Sequence, residues 1–153
     1  MTSATSYSPT GVRSTVGIDP RGPQFTASVT AAVLVAILVL PTPAAIALTA
    51  AQAALFATGV ARGVQHTPTA WLFRTVVRPR LRAPEHLEDP APPRFAQAVG
   101  LGFTLVALVG LAAGVSVLGQ VAIGLALVAA LLNAVFRFCL GCELYLRLKR
   151  ATA

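Results

Sequence analysis

Apolar and polar positions fall in long separate blocks along this chain. Residues 22–61 contain no Asp, Glu, Lys or Arg, and neither do residues 95–136, stretches of 40 and 42 residues. A helix that crosses a bilayer needs about 20 apolar residues, so each block is two spans long. One unbroken helix over either block would run about 60 Å, twice the hydrocarbon thickness. The first block is expected to break at Pro41 and Pro43, which bracket Thr42, because proline removes a backbone donor and clashes with the preceding turn. The second block has no proline, and its most polar and flexible cluster, Ser116, Gly119 and Gln120, marks the expected break. The pattern predicts an all-α polytopic membrane protein with four transmembrane helices in two hairpins, at about 25–41, 44–62, 96–117 and 121–140. On the third span Gly110 and Gly114 form a GxxxG pair, a candidate packing face within the bundle or between subunits of a homo-oligomer.

Composition narrows the class further. Only 11% of the residues are charged while 56% are hydrophobic, and mean hydropathy is +0.74. Soluble domains carry about a quarter charged residues, so an ordinary soluble enzyme, a secreted disulfide scaffold and a disordered chain are all excluded.

Charge supplies the orientation. The net charge is +7. The positive residues are Arg13 and Arg21 before the first span, six arginines from Arg62 to Arg94 in the central segment, and Arg137, Arg147, Lys149 and Arg150 at the end of the last span and after it. With four spans these segments share one side, and the two short turns on the other side hold no cation. That asymmetry predicts a multi-pass protein of the plasma membrane with both termini and the central loop in the cytoplasm. An alternative is that residues 29–47 form the h-region and cleavage site of a signal peptide, whose removal would leave three spans. Against this, the leader ahead of it is long and the apolar run continues for another span.

The polar segments differ in character. Residues 1–18 are crowded with Ser and Thr and bury too little surface to offset chain entropy, so a disordered cytoplasmic leader is expected. The membrane domain then covers 19–150, with a cytoplasmic loop at 63–94 and a short tail at 151–153. Within the loop, Trp71, Leu72, Phe73, Val76 and Val77 alternate with Arg74, Arg78, Arg80 and Arg82. This predicts a short interfacial amphipathic helix, ending before Pro79, with Trp71 at headgroup depth and the arginines on anionic lipid or a partner. Because the arginines flank apolar spans and no nucleic-acid motif is visible, membrane lipid explains the basic balance and no nucleic-acid partner is expected.

Candidate chemistry is confined to one place. Inside the spans there is no carboxylate or histidine to carry protons, sodium or a haem, and the fourth span holds Arg137 near its cytoplasmic end. Both cysteines of the chain stand together as Cys139-Leu140-Gly141-Cys142 at the cytoplasmic end of the fourth span. At this spacing the sulfurs fall within one helical turn, and a local break at Gly141 would bring them to bonding geometry. Three readings stay open: inert packing, thiol redox or sulfur exchange, and metal binding. The metal reading needs further ligands such as His66 or His86, and no metal or cofactor is expected. Arg137 and the basic tail favour a thiolate, whereas Glu143 and the negative end of the fourth helix oppose it, unless a new helix starts here and puts Cys142 at its N-terminus.

Several motifs occur in a fixed order: Asp19-Pro20-Arg21-Gly22-Pro23-Gln24-Phe25, Trp71-Leu72-Phe73-Arg74 with Arg78-Pro79-Arg80-Leu81, Pro92-Pro93-Arg94-Phe95-Ala96-Gln97, and Phe138-Cys139-Leu140-Gly141-Cys142 with Tyr145. In these the chain resembles the bacterial membrane family catalogued as domain of unknown function 4395, over about residues 17–150. The resemblance implies a small four-span membrane protein with no established activity, sometimes encoded near thioredoxin-like or sulfurtransferase proteins. Arg137 departs from the small or polar residue the resemblance leads one to expect. The leading expectation is a membrane-held dithiol, Cys139 and Cys142, exchanging electrons or sulfur with a thioredoxin-like or rhodanese-like partner. It is not expected to be a stand-alone enzyme. The alternative is a structural or assembly subunit that binds lipid or another membrane protein, and passage of a small neutral solute ranks last.

Overall fold

The computed structural model describes residues 17–152. The predicted leader lies outside the described residues except for its last two. Four long helices form: α1 (Arg21–Val39), α2 (Thr42–Arg62), α4 (Ala91–Ala112) and α5 (Ser116–Phe136), with two shorter ones, α3 (Pro68–Leu72) and α6 (Leu140–Thr152). The four long helices are each long and apolar enough to cross a membrane. In hydrocarbon every backbone polar group must be satisfied internally, and a helix achieves this within one segment. The protein is therefore all-α, with no strand among the described residues.

The helix ends follow local chemistry and shift several predicted boundaries. The first span starts at Arg21 because Asp19 Oδ1 accepts the Arg21 N–H at 3.0 Å, with Pro23 tolerated in the opening turn. Leu40 is extended ahead of Pro41, as a residue before proline must be, and Pro43 falls in the first turn of α2. Asp89 Oδ1 accepts the Ala91 N–H at 2.9 Å and starts α4 early, with Pro92 and Pro93 in its first turn. The second hairpin breaks one turn before the expected cluster, at Gly114 with φ +77, so that Ser116, Gly119 and Gln120 belong to α5. There the Val115 N–H reaches the Gly110 carbonyl at 2.8 Å, closing a left-handed helix end.

The four long helices close into a ring. α1 packs on α2 and α5, and α4 packs on the same two. Leu34, Ile37, Ala45, Ala107, Leu111, Ala122, Ile123 and Ala126 form the apolar core. Small residues set the closest approach: a β-carbon on Gly110 would lie 2.9 Å from the Gly119 backbone nitrogen, while Gly114 faces open space. Gly110 therefore packs α4 against α5 with Gly119 as its partner. Gly114 serves the turn and does not complete a GxxxG face with Gly110.

Candidate functional site

The polar segments collect at one end of the ring. Ile18 and Glu88 exchange two backbone hydrogen bonds of 2.9 Å, which lays the residues just before α1 against the central loop. Arg21 Nη1 donates to the Arg82 carbonyl at 3.0 Å, and Gln24 Nε2 donates to the Ala134 carbonyl near the end of α5 at 2.9 Å. Arg94, in the first turns of α4, donates from Nε to the Val60 carbonyl at 2.7 Å and so satisfies an open carbonyl in the last turn of α2. Each contact joins two of the segments singled out in the sequence. The arginines and lysine within residues 17–152 fall in helix ends, loop and α6 at this end, and none lies within the body of a span.

The loop helix is present and longer than expected. Thr67 accepts the Ala70 N–H at 3.2 Å and caps α3, which continues as a wide turn over Phe73–Val77 and a tight turn over Arg78–Arg80. Pro79 does not stop it, because the proline sits in the first turn of that last segment, where its missing N–H has no helical partner to lose. Phe73 is buried against Phe25, ring centroids 5.8 Å apart, and beside Gly22, whereas Trp71 is 60% exposed. Arg74, Arg78, Arg80 and Arg82 are all exposed. One aromatic residue thus fastens the segment to the bundle and the other is left free at its edge.

Cys139 and Cys142 lie at the junction of α5 and α6. Arg137, with φ +56, ends α5, its N–H on the Asn133 carbonyl at 3.1 Å, so that the last helical residue, Phe136, falls four short of the predicted span end at 140. Residues 137–139 are not helical, and α6 begins at Leu140. Cys139 caps this new helix: its carbonyl accepts the Glu143 N–H at 3.0 Å and its sulfur accepts the Cys142 N–H at 3.2 Å. The two sulfurs are joined as a disulfide with Cα atoms 5.2 Å apart, and both residues are half-buried. The pair therefore sits at a helix N-terminus, where the macrodipole and free N–H groups favour a thiolate, and not at the negative end of α5. Glu143, the opposing charge, is paired with Arg147 Nε at 3.2 Å. Arg137 contributes its backbone; its guanidinium makes no hydrogen bond among the described residues.

Gly141 has a further role that its reading as a break point missed. A β-carbon there would lie 2.6 Å from Ala96 Cα, and Phe95 meets Tyr145 with centroids 5.8 Å apart. α6 is thereby seated on the first turns of α4. The cue was the pairing of two motifs, each holding an aromatic residue one or four positions from a small one.

Two buried side-chain oxygens, Asp19 Oδ2 and Gln65 Oε1, have no hydrogen-bond partner among the described residues. Among the described residues no group of three or more His, Cys, Asp or Glu is placed to hold a metal ion. His66 Nδ1 pairs with the Arg62 carbonyl at 2.8 Å, and His86 with Glu88 at 3.5 Å. Buried Gln52 lines a cavity of about 20 Å³ with Thr26, Thr30, Thr67, Thr69 and Gln97, room for one water.

A ring of four apolar helices with a cysteine pair and an arginine-rich rim at one end defines a small polytopic membrane protein. The chain belongs to the family described as Domain of unknown function (DUF4395), which matches residues 18–150. No curated protein and no solved structure matches it.

Proposed function

We propose that this protein is a membrane-held dithiol that exchanges electrons with a cytoplasmic partner carrying its own dithiol, of thioredoxin-like type. The observation that carries this reading is the position of Cys139 and Cys142, paired across the first turn of α6 at the polar end of the bundle. In the exchange a partner thiolate attacks one sulfur of the Cys139–Cys142 bond and the other leaves as a thiolate. The partner's second thiolate then attacks the mixed disulfide. Two electrons and two protons pass to this protein, and the partner ends as a disulfide. The arginine-rich end faces the cytoplasm of the plasma membrane in this reading, since cations are retained on that side, and it offers acidic partners a complementary face.

Full-length protein in detergent, alkylated and weighed after a dithiol reductant and again after mild oxidant, tests this. Two alkyl groups are expected after reduction and none after oxidation. Cysteines that stay reduced through the oxidant, or a bond that resists a dithiol, would sink the proposal.

A second reading, an assembly subunit that binds lipid or another membrane protein, is favoured by the free Trp71 and the exposed Arg74, Arg78, Arg80 and Arg82. Under it, charge reversal at these arginines abolishes function while serine at both cysteines preserves it.

A further inference from the structure

α6, at the ring's polar end, carries both apolar and charged residues on its exposed surface. Its 13 residues include Leu140, Leu144 and Leu148, which recur every four positions and share one face. They are 42%, 45% and 47% exposed, so α4, which seats Gly141 and Tyr145 on the neighbouring face, leaves them uncovered. Arg147, Lys149 and Arg150 accompany them; Glu143, the single acid of the helix, pairs with Arg147, which leaves Lys149 and Arg150 as its excess of cations. The exposed apolar run does not begin with α6. It continues along the chain from Val135 and Phe136 on the outer face of α5 through Phe138.

We infer that α6 is a lipid-docked helix, its Leu140, Leu144 and Leu148 face lying in an anionic bilayer surface and its cations on phosphate headgroups. Two observations choose lipid over a second copy of this chain. The leucine face continues a surface that must already meet acyl chains, and its excess of cations complements anionic headgroups while repelling an identical basic helix. The assignment stands on α6 alone and holds whether or not the cysteines exchange. Its consequence for exchange rests on the dithiol reading: Cys139 and Cys142, joining a spanning helix to a surface helix, lie at headgroup depth, where only a partner at the membrane surface reaches them.

The test uses the full chain reconstituted in bilayers of phosphatidylglycerol and phosphatidylcholine, with lipid brominated near the headgroup end of the acyl chain. In a Trp71→Phe background, Leu144→Trp places a fluorophore on the apolar face and Leu146→Trp one on the opposite face. Bromolipid is expected to quench the first several-fold more than the second, and an aqueous quencher to reverse the order. Replacing Arg147, Lys149 and Arg150 by Gln is expected to weaken bromolipid quenching in the anionic bilayer and leave it unchanged in a neutral one. Leu144→Trp emission insensitive to bromolipid would overturn the inference, whether water or a second protein covers that face. Equal quenching in both bilayers would overturn the anionic preference. Thiol counting on each variant reports the cysteine pair separately, so failure of docking and failure of exchange are told apart.

Discussion

Arg137 holds a backbone conformation that costs a residue with a β-carbon about 1–2 kcal/mol and glycine almost nothing. Its guanidinium makes no hydrogen bond among the described residues that offsets this. Arg137→Gly is therefore expected to stabilise the bundle by about 1 kcal/mol, seen as a raised thermal midpoint in detergent. A lowered midpoint would mean that the side chain itself holds the junction. The sequence marked Arg137 as unusual for the family it resembles, and the left-handed turn supplies the physical reason a small residue is expected there. The cysteines are unequal as well. The sulfur of Cys139 accepts the Cys142 N–H and caps α6, while that of Cys142 has no backbone donor among the described residues. Cys139 in the Cys142→Ser variant is expected to alkylate several-fold faster near neutral pH than Cys142 in the Cys139→Ser variant. Equal rates would show that the N-terminus of α6 does not stabilise the thiolate.

At the scale of elements, the four spans were legible because nothing else explains two charge-free blocks of 40 and 42 residues. The ends of those spans were less legible, because hydropathy reports where a helix is compatible with lipid and not where its hydrogen bonds stop. Asp19 and Asp89 start α1 and α4 ahead of the predicted spans, and Arg137 ends α5 short of the predicted end at 140. The GxxxG spacing misled for a related reason: it is a pattern on a helix, and Gly114 lies past the end of one. α6 was present in the sequence as one alternative, a helix restarting beside the cysteines, but what holds it depends on Ala96, far away in the chain. The 2.6 Å approach is to α4 backbone, which cannot yield. Gly141→Val should lift α6 from α4, raising amide exchange throughout α6 while protection in α1, α2, α4 and α5 is unchanged. Protection retained in α6 would show that the contact is dispensable.

Across the whole molecule, stability and chemistry occupy different places. The ring is held by helix packing around the Leu34, Ile123 and Leu111 core, distant in the chain from the polar rim, and its backbone is satisfied within each span. The disulfide closes a loop of only four residues at one rim, between positions already close in a helical turn. The loop-entropy relation bounds its stabilisation at about 2 kcal/mol, and the local capping geometry leaves less of the unfolded chain to constrain. Serine at both positions keeps a group that can accept the N–H at position 142 and cap α6. The double variant Cys139→Ser, Cys142→Ser is therefore expected to keep its helix content and its elution in detergent, with a thermal midpoint only slightly below that of the parent. This outcome leaves the pair free to open and close in exchange without risk to the fold. A double variant that loses the bundle would identify the bond as a structural staple, and the dithiol proposal would fall with it.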